Sequence, residues 1–366
     1  MIVTVAPKAL AEAVASVSKV TVASKDLPIL AGVLLTADGS GTLTVSGTDG
    51  LRSAAVSVPA QVEEPGAAVV SARTLGQVAK SLAGSACRLT GAKASVKVSC
   101  GRSRFSLAAL PASDFPAFPE VSPESSVELP SEELADLAGR VRRFASKDLT
   151  RPILCAMSMT VAGGRLTLRA TDSYRLVIAS AAIDDEAASF SALLSADALS
   201  EALAMATGSD TVCIGQGAGQ WVVRWRGGSY VCRLVEGCYP ELESLFPKTA
   251  TCSVGLPMDA ALDALSRVAL VAKDNPRVRL DIGAADGEVV FSACSGEVGD
   301  AADSVDCAVE GTPMAVGLNH RYLEDALDAF SGRDAVTMAL SGEMAPAVFT
   351  SPGTPEVRCL VMPTRL

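Results

Sequence analysis

The chain has 366 residues, 49% of them hydrophobic and 20% charged, and its 31 Lys plus Arg against 41 Asp plus Glu give a formal charge of −10 at pH 7. That composition belongs to a globular protein with a large core and excludes a disordered or collagen-like chain. The negative balance argues against a partner held by general basicity, so any nucleic-acid contact is expected to be local.

No apolar run approaches the roughly 18 residues that a membrane span needs. The start, MIVTVAPKALAEAV, has no basic segment leading into an apolar one. A soluble, cytoplasmic protein with no membrane partner is expected. Ten cysteines, at 87, 100, 155, 213, 232, 238, 252, 294, 307 and 359, form no C-x-x-C pair, and His320 is the only histidine. The ligand spacing of a zinc site is therefore missing. The cysteines read as buried small hydrophobes in a reducing compartment, with no metal and no cofactor.

In chain order, PKALAEAVASVSKV from Pro7 reads as a helix with Pro in its first turn, running into SKDLPIL. VLLTADGSGTLTVSG, AAVSVPAQV, CRLTGAKASVKVSCG and SRFSLAAL alternate apolar and polar between Gly, Asp and Ser turns, the pattern of antiparallel hairpins. Between them SARTLGQVAKSLAG from Ser71 starts on a capping residue and ends on Gly, a second helix. The set then recurs. First helices return as PSEELADLAGRVRRFASK from Pro130 and PMDAALDALSRVALVAK from Pro257, and second helices as SADALSEALAMATG from Ser195 and NHRYLEDALDAFSG from Asn319. Strand-like segments GTLTVSGTD, GRLTLRATD and GEVVFSACS begin at Gly41, Gly164 and Gly287, 123 residues apart each time.

A period near 366/3 = 122 is a comfortable domain size, and three α+β units of two helices each are expected. The Pro/Ser/Glu stretch 121 to 130 and the segment 246 to 257 are composed like linkers between them.

Basic residues close the first helices: Lys19 and Lys25, Arg140, Arg142, Arg143 and Lys147, Arg267 and Lys273; Arg73, Lys80 and Arg321 lie on second helices. One helix alone with this polarity would merely complement its dipole. Repeated three times, it gathers positive charge on one surface, suited to phosphates without reading sequence. SADALSEALAMATG has no basic residue, so the field is not uniform.

Catalytic signals are weak. No G-x-x-x-x-G-K-[ST] loop occurs, and GQGAG at 215 to 219 lacks a strand-to-helix setting. Asp49 and Asp172 stand at repeated strand ends where turn formation is the simpler role. His320 opens a helix and reads as a surface residue there.

With LPIL at 27 to 30, GTD at 47 to 49, GRSRFSLAALPASDFP at 101 to 116, ATDSYRL at 170 to 176 and the closing LVMPTRL at 360 to 366, all in order, the chain resembles the bacterial DNA polymerase III beta subunit family, the sliding clamps. The resemblance covers the whole chain. It implies clamp domains at 1–122, 127–248 and 252–366, sheets outside and helices lining the hole of a ring that a head-to-tail homodimer closes around duplex DNA. The implied function is a non-catalytic processivity factor that binds the replicative DNA polymerase, clamp loader and repair proteins through short peptide motifs. A duplicated clamp serving inhibitor tolerance or repair is the alternative.

The resemblance places a peptide pocket around Leu154, Thr171, Ser173, Tyr174, Arg175, Leu176, Pro240, Leu245, Pro346, Val361, Met362 and Pro363, with Asn319 and Tyr322 as polar neighbours. An apolar chain end, LVMPTRL, fits such a role independently, since termini are usually polar and frayed. Ser244 stands where many relatives carry a basic residue and Thr364 where Met is common, which alters the pocket's edge. DNA contact is expected through Lys25, Arg73, Arg142, Lys147, Lys273 and Arg321. The dimer interface is expected to set Arg102, Arg104, Phe105 and Leu107, with Arg73, against Leu270, Glu297, Asp300 and Asp303.

Overall fold

The computed structural model of the chain describes residues 1–24, 26–272, 276–283 and 287–366. It contains the six expected helices: α1 Pro7–Val17, α2 Ala72–Ser81, α3 Ser131–Arg142, α4 Ala198–Met205, α5 Met258–Ala269 and α6 His320–Asp328. α1 carries Pro at its first position and fully buries Leu10, Val14 and Val17, an i, i+4, i+7 stripe set against α2 and the strand Arg52–Glu64. Each such side chain contributes about 1.5–3 kcal/mol on burial. Ser71 caps α2, its hydroxyl accepting from the Thr74 N–H, and Asn319 caps α6, accepting from the Arg321 N–H at 3.0 Å.

The cap expected at Ser195 is corrected. Ser195 is the last residue of the strand Phe190–Ser195, and α4 starts three residues later at Ala198. The two linker-like stretches are also corrected in part, because Ser125–Pro130 and Cys252–Pro257 are strands whose burial alternates along the chain.

The chain divides into two compact units, residues 1–135 with 198–234 and residues 136–197 with 235–366. In the first, twelve strands form one sheet in the order Ile2–Val5, Cys87–Ala92, Ser95–Cys100, Ser103–Leu110, Gly66–Ser71, Gly32–Ala37, Thr42–Thr48, Arg52–Glu64, Gly228–Arg233, Gln220–Trp225, Thr211–Gly217 and Ser125–Pro130. In the second, nine strands run Phe190–Ser195, Ala156–Ala162, Arg165–Thr171, Arg175–Ala182, Val357–Val361, Ala347–Thr350, Ala335–Leu340, Cys252–Pro257 and Ala308–Gly311. A separate sheet of four in the same unit runs Gly299–Asp306, Glu288–Ser295, Arg277–Gly283 and Met314–Asn319.

The sequence repeat and the compact units do not share boundaries, and strand pairing is the reason. Arg52–Glu64 pairs with Gly228–Arg233, bringing Arg52 opposite Cys232. Arg175–Ala182 pairs with Val357–Val361, bringing Arg175 opposite Val361. Each pairing joins strands of successive repeats into one sheet, so the second repeat contributes four strands to each unit.

Of the ten cysteines, all free, Cys87, Cys100, Cys232, Cys252 and Cys359 are buried as expected, whereas Cys238 and Cys294 are exposed. Among the described residues no helix is long and apolar enough to cross a membrane.

Candidate functional site

Each unit contains one joint between repeats, and the two are built on the same five-residue pattern. Thr48-Asp49-Gly50-Leu51-Arg52 turns the chain between paired strands in the first unit, and Thr171-Asp172-Ser173-Tyr174-Arg175 does so in the second. Asp49 accepts the N–H groups of Leu51 at 2.8 Å and Arg52 at 2.7 Å. Asp172 accepts those of Tyr174 at 2.9 Å and Arg175 at 3.0 Å. The Thr48 and Thr171 hydroxyls donate to the Arg52 and Arg175 carbonyls at 2.8 and 2.7 Å. Both aspartates thus serve the turn. The third position takes a positive φ, +91° at Gly50 and +81° at Ser173, which costs Ser173 more because it carries a Cβ.

In the first unit, Arg52 spans Asp49 (Nε to Oδ2, 2.9 Å) and Glu201 on α4 (2.7 and 2.9 Å), and the Tyr230 hydroxyl donates to Glu201 at 3.0 Å. Burial works to raise the Asp49 pKa, but the Arg52 and Leu51 N–H groups and the Arg52 guanidinium outweigh it and hold the carboxyl below its ordinary value. Burial, helped by the Glu201 charge, pushes the Cys232 thiol up to about 12 and leaves it a protonated spectator. In the same unit, Val121 packs with Val222, Val231 and Phe118, and its carbonyl accepts a bond from Arg224. Ser53 and Arg233 complete this joint, and Val121 is buried at 3% exposure.

In the second unit, Arg175 spans Asp172 (Nε to Oδ2, 3.0 Å) and Asp325 on α6, and donates to the Arg143 carbonyl at 2.6 Å. Its guanidinium lies 4.5 Å from the Tyr322 ring centre and 5.2 Å from that of Phe144. Residue for residue, Leu176, Leu242, Leu245, Leu360 and Met362 stand where the first joint has Ser53, Phe118, Val121, Val231 and Arg233. Leu176, Leu242 and Leu360 pack with Ile178, Tyr239, Phe246 and Val348. Leu245 instead stands off that cluster, 53% exposed where Val121 is 3% exposed.

The result is a cavity of about 400 Å³ lined by Leu154, Thr171, Ser173, Arg175, Leu176, Pro240, Leu242, Leu245, Pro346, Leu360 and Met362. The Met362 N–H donates to the Tyr174 carbonyl at 2.8 Å, tying the outer wall to the turn. The Tyr239 hydroxyl, its pKa raised by burial, accepts from the Thr171 N–H at 3.1 Å and fixes the turn from below. A largely apolar floor with Thr171, Ser173 and Arg175 at its edge suits one or two apolar side chains of an extended segment.

Nine of the residues expected at the pocket line this cavity: Leu154, Thr171, Ser173, Arg175, Leu176, Pro240, Leu245, Pro346 and Met362. Val361 and Pro363 do not. Val361 is fully buried, because alternation along Val357–Val361 gives Leu360 and Met362 to the cavity side. Applied to LVMPTRL, that same alternation would have found Leu360; the buried Leu242 had no comparable signal. Tyr174 stacks on Tyr322, with ring centres 6.4 Å apart, and both line an adjoining cavity of about 370 Å³ with Lys147, Arg151, Arg175 and Arg321. Asn319 is taken up capping α6.

Of the DNA-contact candidates, Lys147 and Arg321 meet at that second cavity, Arg73 is exposed on α2, and Arg142 faces Asp197 at 3.6 Å. Lys25 and Lys273 lie outside the described residues. Arg102, Arg104, Phe105, Leu270, Glu297 and Asp300 are exposed, whereas Leu107 is nearly buried and Asp303 is bonded to Arg267 at 2.5 Å. His320 is half-buried rather than a free surface residue, and burial followed by the Arg321 charge lowers its pKa.

Two repeated joints, the second of them holding an apolar cavity, define a repeat protein with a receptor site for an apolar segment. The sequence matches the N-terminal, central and C-terminal domains of the DNA polymerase III beta subunit over residues 1–119, 128–241 and 243–365. It is 32% identical over 372 aligned residues to the beta sliding clamp of Streptomyces coelicolor, covering 98% of this chain and 97% of that one. The Pseudomonas aeruginosa sliding clamp solved bound to griselimycin is 27% identical, with both chains covered in full and a TM-score of 0.94. The Bacillus subtilis clamp structure, 24% identical, shares the fold at a TM-score of 0.94 over 100% of this chain and 99% of that one. The chain belongs to the bacterial DNA polymerase III beta subunit family, the beta sliding clamps.

Proposed function

We propose that the chain is a non-catalytic processivity factor that encircles duplex DNA as a head-to-tail homodimer and tethers polymerase, loader and repair proteins through the cavity around Leu176 and Met362. The repeated joint carries this reading. Two joints are made within the chain, and the strands that would make a third are left with free edges. Gly299–Asp306, the third-repeat counterpart of Arg52–Glu64 and Arg175–Ala182, ends its sheet. Ser103–Leu110, the counterpart of Gly228–Arg233 and Val357–Val361, meets its neighbour Gly66–Ser71 only at Ala109 and Leu110.

Unpaired edges are templates for another strand, and these two are complementary in charge: Asp300, Asp303 and Asp306 on one, Arg104 with nearby Arg102 on the other. Joined between copies they make a heterologous contact of the kind that closes rings. Residues 1–122, 127–248 and 252–366 are then the three repeats, and Arg73, Arg142, Lys147 and Arg321, with Lys25 and Lys273, supply weak phosphate contacts inside the ring. Topology rather than affinity holds the DNA, which reconciles a charge of −10 with a DNA partner.

The test is primer extension on a singly primed circular template with the cognate polymerase and loader. Long products with the wild type, and short products once Arg104→Glu and Leu107→Asp open the dimer in sedimentation, are the expected result. A monomeric wild type, or long products from the opened variant, would overturn the reading.

A further inference from the structure

Nine methionines occur in the chain, and their exposure is uneven. Met157, Met159, Met205, Met258 and Met338 are buried, and Met1 and Met314 are half-buried. The two exposed ones are Met344 at 60% and Met362 at 41%. Met362 lines the cavity, whereas Met344 lies two residues before the lining residue Pro346 in the sequence and is not itself part of the lining. A thioether is a soft, oxidisable group whose susceptibility follows access by the oxidant. One of the chain's two exposed thioethers, Met362, therefore stands in the wall where an apolar segment would bind.

We propose that Met362 is a reversible oxidation site, and that sulfoxide at Met362 closes the cavity to its peptide ligand. This inference rests on the peptide-binding reading of the cavity. The oxidant is a peroxide: the sulfur lone pair attacks the distal oxygen, the O–O bond breaks as the S–O bond forms, and the departing hydroxide takes up the remaining proton as water. Sulfur is oxidised by two electrons and the peroxide reduced by two. A methionine sulfoxide reductase reverses the step, with two thiols supplying two electrons as they form a disulfide and the sulfoxide oxygen leaving as water.

The consequence follows from the wall's chemistry. Met362 shares the cavity with Leu154, Leu176, Leu242, Leu245 and Leu360. A sulfoxide there places a strong hydrogen-bond acceptor against apolar side chains, and a bound apolar segment would strip it of water without offering a donor. The change costs the ligand rather than the fold, because the side chain stays partly in solvent when the cavity is empty.

The experiment uses the full-length protein and, as probe, a fluorescein-labelled octapeptide ending in Leu-Phe, chosen because two such side chains suit an apolar cavity of this size. Graded hydrogen peroxide is followed by peptide mass mapping and by anisotropy titration. Sulfoxide should appear at Met344 and Met362 before the five buried methionines, and peptide affinity should fall roughly tenfold or more in step with Met362. Reductase treatment should restore it. The ratio of oxidised to reduced affinity should return to one in Met362→Leu, whatever that variant's starting affinity, and should persist in Met344→Leu. Oxidation of Met362 without loss of affinity, or an unchanged ratio in Met362→Leu, would overturn the inference. A reduced wild type that fails to bind the probe would overturn the cavity reading as well, and it is distinguishable because it shows before any peroxide is added.

Discussion

The joint around Arg52 and the joint around Arg175 share a turn, a strand pairing and an arginine spanning an aspartate of its own turn and an acid on a helix, yet Val121 is buried at the first while its counterpart Leu245 is exposed on the wall of an apolar cavity at the second. The shared scaffold therefore does not decide whether the matching apolar residue is buried or exposed. Side-chain choice does: Val121 is drawn into its cluster while Leu245 stands off, and Ser53 and Arg233 replace the apolar Leu176 and Met362. A joint between repeats is a structural necessity, and the second one also carries an apolar cavity.

Removing the arginines should break the comparison most severely. Arg175 is 9% exposed, and Arg175→Ala leaves Asp172 and Asp325 without their shared cation, a loss of about 3 kcal/mol or more. Arg52→Ala strands Asp49 and Glu201 in the same way at a more exposed site, so a smaller loss is expected. Both should melt earlier in calorimetry, but Arg175→Ala alone should also abolish peptide binding, since Arg175 lines the cavity. Equal loss of peptide binding in the two variants would show that the joints are not independent.

A gentler change makes the open joint resemble the closed one. Met362→Arg installs the residue type found at the matching position, Arg233, and puts a charge beside Leu176 and Leu360. Peptide affinity should fall by about 2 kcal/mol, while the melting temperature stays near that of the wild type because the side chain is partly in solvent, 41% exposed. A bound peptide at full affinity would place the ligand elsewhere.

Much of this was legible before any coordinates. The three repeats and both turn patterns are visible in the sequence, because helix caps, strand alternation and the repeat period are local signals, whereas the nine cavity residues came from the resemblance to the clamp family. What escaped was set by partners distant in the chain. Ser195 looks like a cap but is held in the strand that pairs with Ala156–Ala162. Two stretches composed like linkers complete sheets at Ser125–Pro130 and Cys252–Pro257. Leu242 reads as one more loop apolar residue until Leu176 and Leu360 are seen against it.

The turn itself offers a smaller test. Gly50 at φ +91° has open space where a Cβ would go, so Gly50→Ser bears only the conformational cost, about 1 kcal/mol. Ser173→Gly should relieve the matching strain at φ +81° and raise stability by about 0.5 kcal/mol, offset by loss of the exposed bond from Arg151. Chemical denaturation measures both, and shifts of the same sign in the two variants would contradict the equivalence of the turns.

Acid should separate the units by the smallest margin. Asp49 has a folded pKa below its free value, so it binds fewer protons folded than unfolded at mildly acid pH. Its stabilisation is complete above about pH 4 and is lost as pH falls through the folded value. His320, in the second unit, also has a lowered pKa, because burial and Arg321 disfavour its cation. Here the neutral form is the one the fold prefers, so the contribution is complete above pH 6.5 and declines as pH falls through the lowered folded value. Stability measured from pH 8 to 3 should show an early, shallow decline that disappears in His320→Gln and a later one that shrinks in Asp49→Asn. An early decline that survives His320→Gln would assign it to another group, and one that vanishes in Asp49→Asn would place the first acid-sensitive element at the closed joint instead of at the start of α6.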